Sequence, residues 1–361
     1  MDLLSSRPAD DNPIENCCKK LTIFDVAIAS LLLVGVFLLL FAVGPSMSVD
    51  KSTWITSYNP LSHPLTFNMT VYIDELDEVL AGVSDINKTV IITVVNKAYA
   101  EGDKPMLDLF LDGFWLGNDT QDLINHLLVV ALDKTSFERC RFLRLRCYKL
   151  ETDGVDFAGE ELYMSEDFIK MMWRRTSFLG DVLRRGYNFV FTDTDIVWLR
   201  NPFPELIKMG DIDDEPDFQI STDRFNGDEW SKTQDVNTGF FMVRSNNKTV
   251  ALLETWYGKR NTSQGMKEQD VLQAMIREGI IFNHLGLKTR FLNTLFFSGF
   301  CQDSKDVQNV ITVHANCCRT ISAKLADLTA VLHRWKAFKS SKDQLDFHWS
   351  VPHSACVESW K

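Results

Sequence analysis

The fold is decided by residues 187–199, which read YNFVFTDTDIVWL. Residues 187–192 are rich in aromatic and β-branched side chains and predict a buried strand, which leads directly into Asp193-Thr194-Asp195 and a second apolar run. Charged side chains between two apolar runs are costly to bury unless something binds them. Two carboxylates at a strand end can share a hard divalent cation. The alternative, two charges turned toward solvent, stays open, because the same spacing recurs at Asp211 and Asp213 in an acidic turn.

Strand-like and helical patterns alternate from residue 90 onward. Apolar or β-branched runs predict further strands at residues 90–95, 127–132, 218–221, 239–244 and 310–314. Helical spacing predicts helices at residues 106–115, 165–185, 249–257, 267–278 and 321–339. This alternation favours an α/β fold with a mainly parallel sheet flanked by helices, in which ligands bind beyond the carboxyl ends of the strands.

One segment near the N-terminus is far more apolar than the rest. Residues 26–43 form an unbroken run in which only Ser30 is polar, and a helix of that length spans about 27 Å, close to the hydrocarbon thickness of a bilayer. The alternative, a cleaved signal peptide, has a shorter apolar core nearer the start. Lys19 and Lys20 precede the run, so the positive-inside rule places the N-terminus in the cytoplasm. We therefore expect a cytoplasmic tail at 1–20, a transmembrane anchor at 21–44, a lumenal stem at 45–86 and a lumenal domain at 87–361.

The residues after this anchor agree with a lumenal address. N-glycosylation sequons begin at Asn68, Asn87, Asn118, Asn247 and Asn261. The cysteines on this side are Cys140, Cys147, Cys301, Cys317, Cys318 and Cys356. An even number of cysteines in an oxidising compartment favours disulfides, although the spacing leaves every pairing open and buried free thiols are the alternative.

Composition excludes several classes of protein. The net charge of −11 argues against a nucleic-acid partner, since contacts to a phosphate backbone need a basic surface. Hydrophobic residues make up 45% and charged residues 24%, which is typical of a globular protein and not of a disordered chain.

Five stretches, in this order, closely resemble the motifs of the plant nucleotide-diphospho-sugar transferases of glycosyltransferase family 77. They are MMWRR at 171–175, FVFTDTDIVWLRNPF at 189–203, NTGFF at 237–241, EQD at 268–270 and HANCC at 314–318. The resemblance implies a GT-A fold on a single-pass type II protein of the Golgi membrane, with its catalytic domain in the lumen. It implies transfer of arabinose, xylose or galactose from a UDP-sugar, with retention of configuration, to a cell-wall glycan or glycoprotein acceptor. A homo- or hetero-oligomer in the Golgi is compatible with the sequence.

The resemblance also assigns residues to a metal site. Asp193 and Asp195 become catalytic residues that bind the metal and the nucleotide. His314, which ends a predicted strand, becomes the third metal ligand, whereas a lone histidine there would ordinarily be structural. Imidazole beside carboxylates suits Mn²⁺, with Mg²⁺ as the alternative. A cation that bridges the phosphates of UDP would stabilise the leaving group. Double displacement and front-face substitution both remain open as routes to retention.

Four candidates are expected around the nucleotide. Asn96 and Lys97 follow the first strand, where a GT-A fold holds the base. Arg174 and Arg175 lie on the helix before the predicted strand at 187–192, and one of them is expected to contact the diphosphate or the donor sugar. An exposed basic helix face is the alternative for these two arginines.

The donor sugar has its own candidates. Asn237 and Thr238 offer an amide and a hydroxyl suited to sugar hydroxyls, unless they form a plain turn before a strand. Gln269 and Asp270 open a helix and are expected to be catalytic beneath the sugar, although Asp270 would equally favour the helix dipole. Asp223 is a weaker candidate of the same kind.

Two alternative functions stay open at this stage. A degenerate member of the same fold would bind glycan or organise a complex without catalysis. The strand with Asp193-Thr194-Asp195 also fits the nucleophile motif of haloacid-dehalogenase-like phosphohydrolases, with residues 210–214 imitating their distal acidic motif. The spacing argues against a phosphohydrolase, because those enzymes place the two motifs far apart, whereas here fewer than twenty residues separate them.

Overall fold

A seven-stranded sheet in the order β3-β2-β1-β4-β7-β6-β8 forms the centre of the protein. The computed structural model describes residues 74–361 except 153–156, 158, 160–163, 208–214 and 351–352. The strands of this sheet are β1 (Thr89–Val95), β2 (Leu127–Ala131), β3 (Arg146–Lys149), β4 (Asn188–Thr192), β6 (Phe218–Arg224), β7 (Asp235–Val243) and β8 (Thr289–Phe291). Strands β3, β2, β1 and β4 are parallel, β7 is antiparallel to both β4 and β6, and β8 is parallel to β6. The predicted mainly parallel α/β sheet is confirmed.

Helices cover both faces of the sheet. The α-helices of four residues or more among the described residues are α1 (Glu75–Val83), α2 (Lys97–Ala100), α3 (Met106–Leu116), α4 (Lys134–Phe142), α5 (Glu166–Arg184), α6 (Phe203–Leu206), α7 (Asn247–Gly258), α8 (Glu268–Arg277), α9 (Ile321–Ser340) and α10 (Ser354–Glu358). Short 3-10 segments occupy Gln121–His126 and Lys259–Thr262, and a π-helical turn occupies Ile280–His284. Val90 and Ile92 of β1 belong to one apolar core and Ile91 to the other, which explains why this strand is apolar on both faces.

Helix α1 moves the expected boundary of the stem. Its Leu76, Leu80 and Val83 are buried in the same core as β1 and β4. Arg185, just after α5, binds Asp77 at 2.9 Å and also contacts Asp74. Residues 75–83, which the sequence places in the stem, therefore pack on the domain through α1, whereas Ile86 at the end of the expected stem is exposed.

A second sheet brings the end of β4 together with the C-terminal part of the chain. It consists of β5 (Ile196–Trp198), β10 (Thr312–His314) and β9 (Phe297–Gly299), in the order β5-β10-β9. The antiparallel register of β5 and β10 pairs Ile196 with His314. This register places His314 beside the residues that follow β4.

Three disulfides stabilise the domain. They pair Cys140 with Cys147, Cys301 with Cys317, and Cys318 with Cys356. The prediction of disulfides is confirmed, and the pairing that the sequence left open is now defined. The last bridge fastens α10 beside the start of α9, where the Asp327 carboxylate accepts hydrogen bonds from the backbone of α10.

The predicted tail and anchor and residues 45–73 of the stem lie outside the described residues. Among the residues that are described, no helix is both long and apolar enough to cross a bilayer.

Candidate active site

A cleft of about 280 Å³ opens beyond the carboxyl ends of β1 and β4. This is the edge at which parallel sheets bind their ligands. The side chains that meet there come from the end of β1, helix α5, the turn after β4, strands β6 and β7, the start of α8, and the segment from β10 to α9. The charged members of this lining that the structure describes are Arg175, Asp193, Asp195, Asp223, Lys267, Glu268, His314, Arg319 and Lys324.

Asp193, Asp195 and His314 form a compact group of potential metal ligands. One ligand atom from each lies within 4.8 Å of the others. The backbone fixes all three residues: the Asp193 amide donates to the Gly239 carbonyl at 2.7 Å, and the Ala315 amide donates to the Asp195 carbonyl at 3.0 Å. Because these bonds join β4 to β7 and to the end of β10, the predicted grouping arises from the topology.

Each carboxylate of the pair also holds a basic side chain. Arg175 Nη1 lies 2.8 Å from Asp193 Oδ1, and Lys324 Nζ lies 2.7 Å from Asp195 Oδ2. His314 Nε2 lies 3.3 Å from the other oxygen, Asp195 Oδ1. One oxygen of each carboxylate is thus oriented by a permanent cation, and the second oxygen of Asp195 faces the third potential ligand, His314. Two carboxylates and an imidazole are a suitable ligand set for Mn²⁺ or Mg²⁺ with further oxygen ligands from a substrate.

The two carboxylates have different acidities. Burial raises the pKa of Asp193 to about 6; Arg175 opposes this shift, and the nearby charge of Asp195 adds to it. Burial would also raise the pKa of Asp195, but the charges of Lys324 and His314 outweigh it and hold that pKa below its usual range. Burial alone would lower the pKa of His314, whereas the adjacent Asp195 raises it. A metal would therefore displace protons from this group when it binds.

Gly239 of β7 provides the space for this arrangement. A Cβ atom at this position would lie 2.4 Å from His314 Cε1, 2.8 Å from Asp193 Oδ2 and 2.9 Å from Asn237 Oδ1. These distances are all shorter than van der Waals contact, so only glycine lets the ligands approach one another here.

Arg175 connects the metal ligands to helix α8. Its Nη2 lies 2.6 Å from Glu268 Oε1, which also accepts the Thr238 hydroxyl at 2.8 Å. The other oxygen of Glu268 is buried and has no hydrogen-bond partner among the described residues. Gln269 Oε1 accepts the Thr238 amide at 3.1 Å, which leaves the Gln269 side-chain nitrogen for a ligand. The predicted Arg175, Thr238 and Gln269 thus lie together in the cleft.

Asn237 lies within strand β7 and not in a turn before it. Its side-chain oxygen accepts the Gly239 amide at 2.8 Å, and its side-chain nitrogen donates to Asp223 Oδ1 at 2.8 Å. Asn316 donates to the same Asp223 oxygen at 2.8 Å. Asp223, the weaker candidate, is therefore held firmly at the edge of the cleft by two amides.

Two predicted nucleotide-binding residues lie elsewhere. Lys97 does not line the cleft; its exposed side chain pairs with Glu101 at 3.4 Å. Arg174 contacts the Glu151 carbonyl at 3.0 Å and the Thr152 hydroxyl at 3.3 Å, because it projects from α5 about 100° away from Arg175. Neither residue lines the cleft, so the structure does not bring them together with the other nucleotide candidates.

Two further candidates need different roles. Asn96 lines the cleft, but its side-chain nitrogen donates to the carbonyls of Phe157 and Gly159, and its oxygen caps α2. It therefore holds the backbone of Phe157 and Gly159 in place. Asp270 lines a neighbouring cavity and not the cleft, so the structure does not bring it together with the other candidates for the donor sugar. Burial raises its pKa.

Comparison with known proteins gives the family. The profile of the nucleotide-diphospho-sugar transferases matches residues 122–328, which is more than half of the chain. The chain belongs to the nucleotide-diphospho-sugar transferase family. It is a nucleotide-sugar-dependent glycosyltransferase with an α/β fold of GT-A type. The phosphohydrolase alternative is wrong, and the acidic stretch on which it relied, residues 210–214, lies outside the described residues.

Several relatives of this transferase show how far the likeness extends. An uncharacterised Arabidopsis thaliana protein is 52% identical over 309 residues, which cover 84% of this chain and 90% of that protein. The UDP-D-xylose:L-fucose alpha-1,3-D-xylosyltransferase 3 of the same plant is 25% identical over 202 residues, covering 56% of this chain and 49% of that protein. A solved structure of the galactosyltransferase LgtC with donor and acceptor sugar analogues covers 68% of this chain and 94% of its own, at 12% identity and a TM-score of 0.41.

The transferase cleft contains four charged residues that the sequence does not single out, Lys267, Glu268, Arg319 and Lys324, of which Glu268 and Lys324 contact the predicted site residues. Lys324 lies on α9, ten residues after His314, and Glu268 begins α8 beside the predicted Gln269. In the sequence, Glu268 appears only as the first residue of the EQD motif at 268–270. A signal for both existed: each is charged and lies in the first turn of a helix that follows a predicted site residue.

Proposed function

We propose that this transferase is a metal-dependent, retaining enzyme that moves arabinose, xylose or galactose from a UDP-sugar to a cell-wall glycan or glycoprotein. One observation carries the proposal: Asp193, Asp195 and His314 lie within 4.8 Å of one another in the cleft, and a basic side chain orients one oxygen of each carboxylate. A bound Mn²⁺ or Mg²⁺ would supply Lewis-acid charge to the departing diphosphate.

The chain supplies additional positive charge for a diphosphate. Lys324 lines the cleft, and although burial would lower its pKa, the adjacent Asp195 raises it, so the side chain stays protonated. Its side chain is only 17% exposed, and a buried ammonium interacts strongly with a phosphate in a medium of low dielectric constant. Lys324 would therefore stabilise the same negative charge as the metal from the opposite side of Asp195.

The donor sugar would lie against the start of α8 and the end of β7. Glu268 Oε2 is buried and unpaired among the described residues, and a sugar hydroxyl would satisfy it. The Gln269 side-chain nitrogen would donate to a second sugar oxygen. Since a site that hydrogen-bonds a hydroxyl rejects analogues that lack it, Glu268 would determine which sugar is accepted.

The donor class is supported by the relatives. The name of the xylosyltransferase relative gives UDP-xylose as its donor and fucose as its acceptor. For the present chain, the nucleotide, the sugar and the acceptor are proposals that rest on this likeness and on the motifs at residues 171–318.

We also propose a Golgi location with the anchor at 21–44 and the catalytic domain in the lumen. The four sequon asparagines that the structure describes, Asn87, Asn118, Asn247 and Asn261, are all exposed, as glycan attachment requires. Three disulfides are typical of an oxidising compartment.

The proposal is tested by UDP release from UDP-arabinose, UDP-xylose and UDP-galactose by the purified full-length protein with Mn²⁺. We expect release from one of these donors, loss of release with a chelator, and at least a hundredfold loss in Asp195→Asn. The exposed Asp122→Asn is the matched control and should behave as wild type. Release that persists without a metal would contradict the proposal, and UDP binding without release from any donor would favour the non-catalytic alternative.

A further inference from the structure

A second cavity, of about 710 Å³, lies next to the cleft. Its described lining comes from β6, β7, α8 and the disulfide between Cys301 and Cys317. Asp223, Gln269 and both of these cysteines line the cleft and the cavity, so the two spaces adjoin along these residues. The cavity volume is in the range of specific ligand sites.

The charges around this second cavity are mainly negative. Asp223, Asp235, Asp270 and Glu278 supply carboxylates, and Arg224 and Arg277 supply the two positive charges of its described lining. Arg277 lies 3.2 Å from Asp235, so these two charges largely neutralise each other. The remaining walls carry an excess of hydrogen-bond acceptors and would repel an anion.

The junction between the two spaces carries polar groups that are already oriented. Asn237 and Asn316 both donate to Asp223 Oδ1, which fixes that carboxylate and leaves Oδ2 for a ligand. Gln269 is fixed through its oxygen by Thr238, and its nitrogen has no partner among the described residues. Through Asn237 and Gly239 the junction adjoins the metal ligands, since a Cβ atom on Gly239 would touch Asn237, Asp193 and His314 alike.

We propose that this second cavity binds the acceptor, and that the acceptor is an uncharged oligosaccharide whose reactive hydroxyl reaches the donor beside Asp223 and Gln269. The proposal rests on the proposed function and assigns a ligand to a different part of the same site. In the transfer, the acceptor hydroxyl oxygen bonds to the anomeric carbon, the bond from that carbon to the phosphate oxygen breaks, and the hydroxyl proton leaves with the diphosphate.

The chemistry of the walls favours a neutral glycan over an acidic one. Sugar hydroxyls donate hydrogen bonds, and bonds to an ionised carboxylate are the stronger kind. A uronate-containing glycan would bring its own carboxylates toward Asp223, Asp270 and Glu278, which disfavours it by like-charge repulsion. In this proposal Asp270 contacts the acceptor, and not the donor sugar as the sequence predicts.

The test measures binding of neutral tetrasaccharides of xylose, arabinose or galactose, and of tetragalacturonate, to the full-length protein with UDP and Mn²⁺ present. Wild-type protein should bind one of the neutral probes at least tenfold more tightly than tetragalacturonate. The double variant Asp270→Asn, Glu278→Gln should weaken the neutral probe about tenfold and reduce the difference between the two probes. Glu254→Gln, an exposed carboxylate outside both spaces, is the matched control.

The affinity for UDP distinguishes a failure of the acceptor site from a failure of the proposed transferase function. If UDP binds with Mn²⁺ to every variant but the neutral probes bind the double variant as well as wild type, the acceptor site is overturned and the proposed function stands. Equal or tighter binding of tetragalacturonate to wild type overturns the acceptor site too. If UDP does not bind wild type at all, the proposed function fails, and the acceptor proposal fails with it.

Discussion

Replacing Gly239 by alanine adds one methyl group at the centre of the candidate metal site. The new Cβ would lie 2.4 Å from His314 Cε1 and 2.8 Å from Asp193 Oδ2. Carbon atoms in contact sit about 3.5–4.0 Å apart, so the imidazole must move by roughly 1 Å. Metal–ligand distances tolerate only about 0.2 Å, and the displacement is therefore about five times what the site can absorb.

We expect Gly239→Ala to lower the affinity for Mn²⁺ by about a hundredfold, as measured by calorimetry. The fold should survive, because overpacking of this size costs about 1–3 kcal/mol and Gly239 does not have a positive φ that alanine would resist. Gly82→Ala in α1 is the control, since its Cβ would have nothing within 4 Å and alanine there should slightly stabilise the helix. Wild-type Mn²⁺ affinity in a folded Gly239→Ala protein would refute the reasoning.

Three further predictions concern the charges around the metal ligands. Arg175→Leu should lower the free energy of unfolding, measured in urea, by about 3 kcal/mol, because it leaves the buried Glu268 carboxylate without its cation. The neighbouring variant Arg174→Leu should lower it by less than about 1 kcal/mol. Equal losses of stability in the two variants would contradict the burial argument. The affinity for Mn²⁺ should fall as the pH drops through about 6, because Asp193 binds a proton there and only its charged form binds metal. An Mn²⁺ affinity that does not change between pH 7.5 and 5 would count against this prediction. Lys324→Met should weaken UDP binding tenfold or more in calorimetry, whereas Lys336→Met, at an exposed position of the same helix, should leave the UDP affinity unchanged. Equal UDP affinities of the two variants would show that Lys324 does not contact the diphosphate.

Local patterns were sufficient to predict the strands that form the cleft. Residues 90–95 and 127–132 are apolar or β-branched throughout because helices cover both faces of β1 and β2, and this pattern is visible in the sequence. The carboxylates after β4 stand out for the same reason, since an apolar strand delivers them to the edge of the sheet. The pairing of His314 with Asp195 depends on the register of β5 and β10, which joins segments more than a hundred residues apart and leaves no local pattern.

Some predicted site residues do not line the cleft because adjacent residues on a helix project in different directions. Arg174 and Arg175 are chemically equivalent in the sequence, and each lies one turn before a buried residue, Phe178 or Leu179. The two side chains project about 100° apart on α5, and only Arg175 lines the cleft. Gln269 and Asp270 likewise project in different directions from α8, one to both spaces and the other to the second cavity alone. Helix α1 has as many acidic residues as buried ones, three of each, so its sequence reads as part of a polar stem, and only its docking on the sheet shows that it belongs to the domain.

The most direct measurement is the anomalous diffraction signal of manganese in crystals soaked with Mn²⁺ and UDP. The account predicts one manganese peak within coordination distance of Asp193, Asp195 and His314, with the diphosphate of UDP bound to the same ion and near Lys324. A manganese peak elsewhere, or UDP bound in the cleft with no metal between these three side chains, would contradict it.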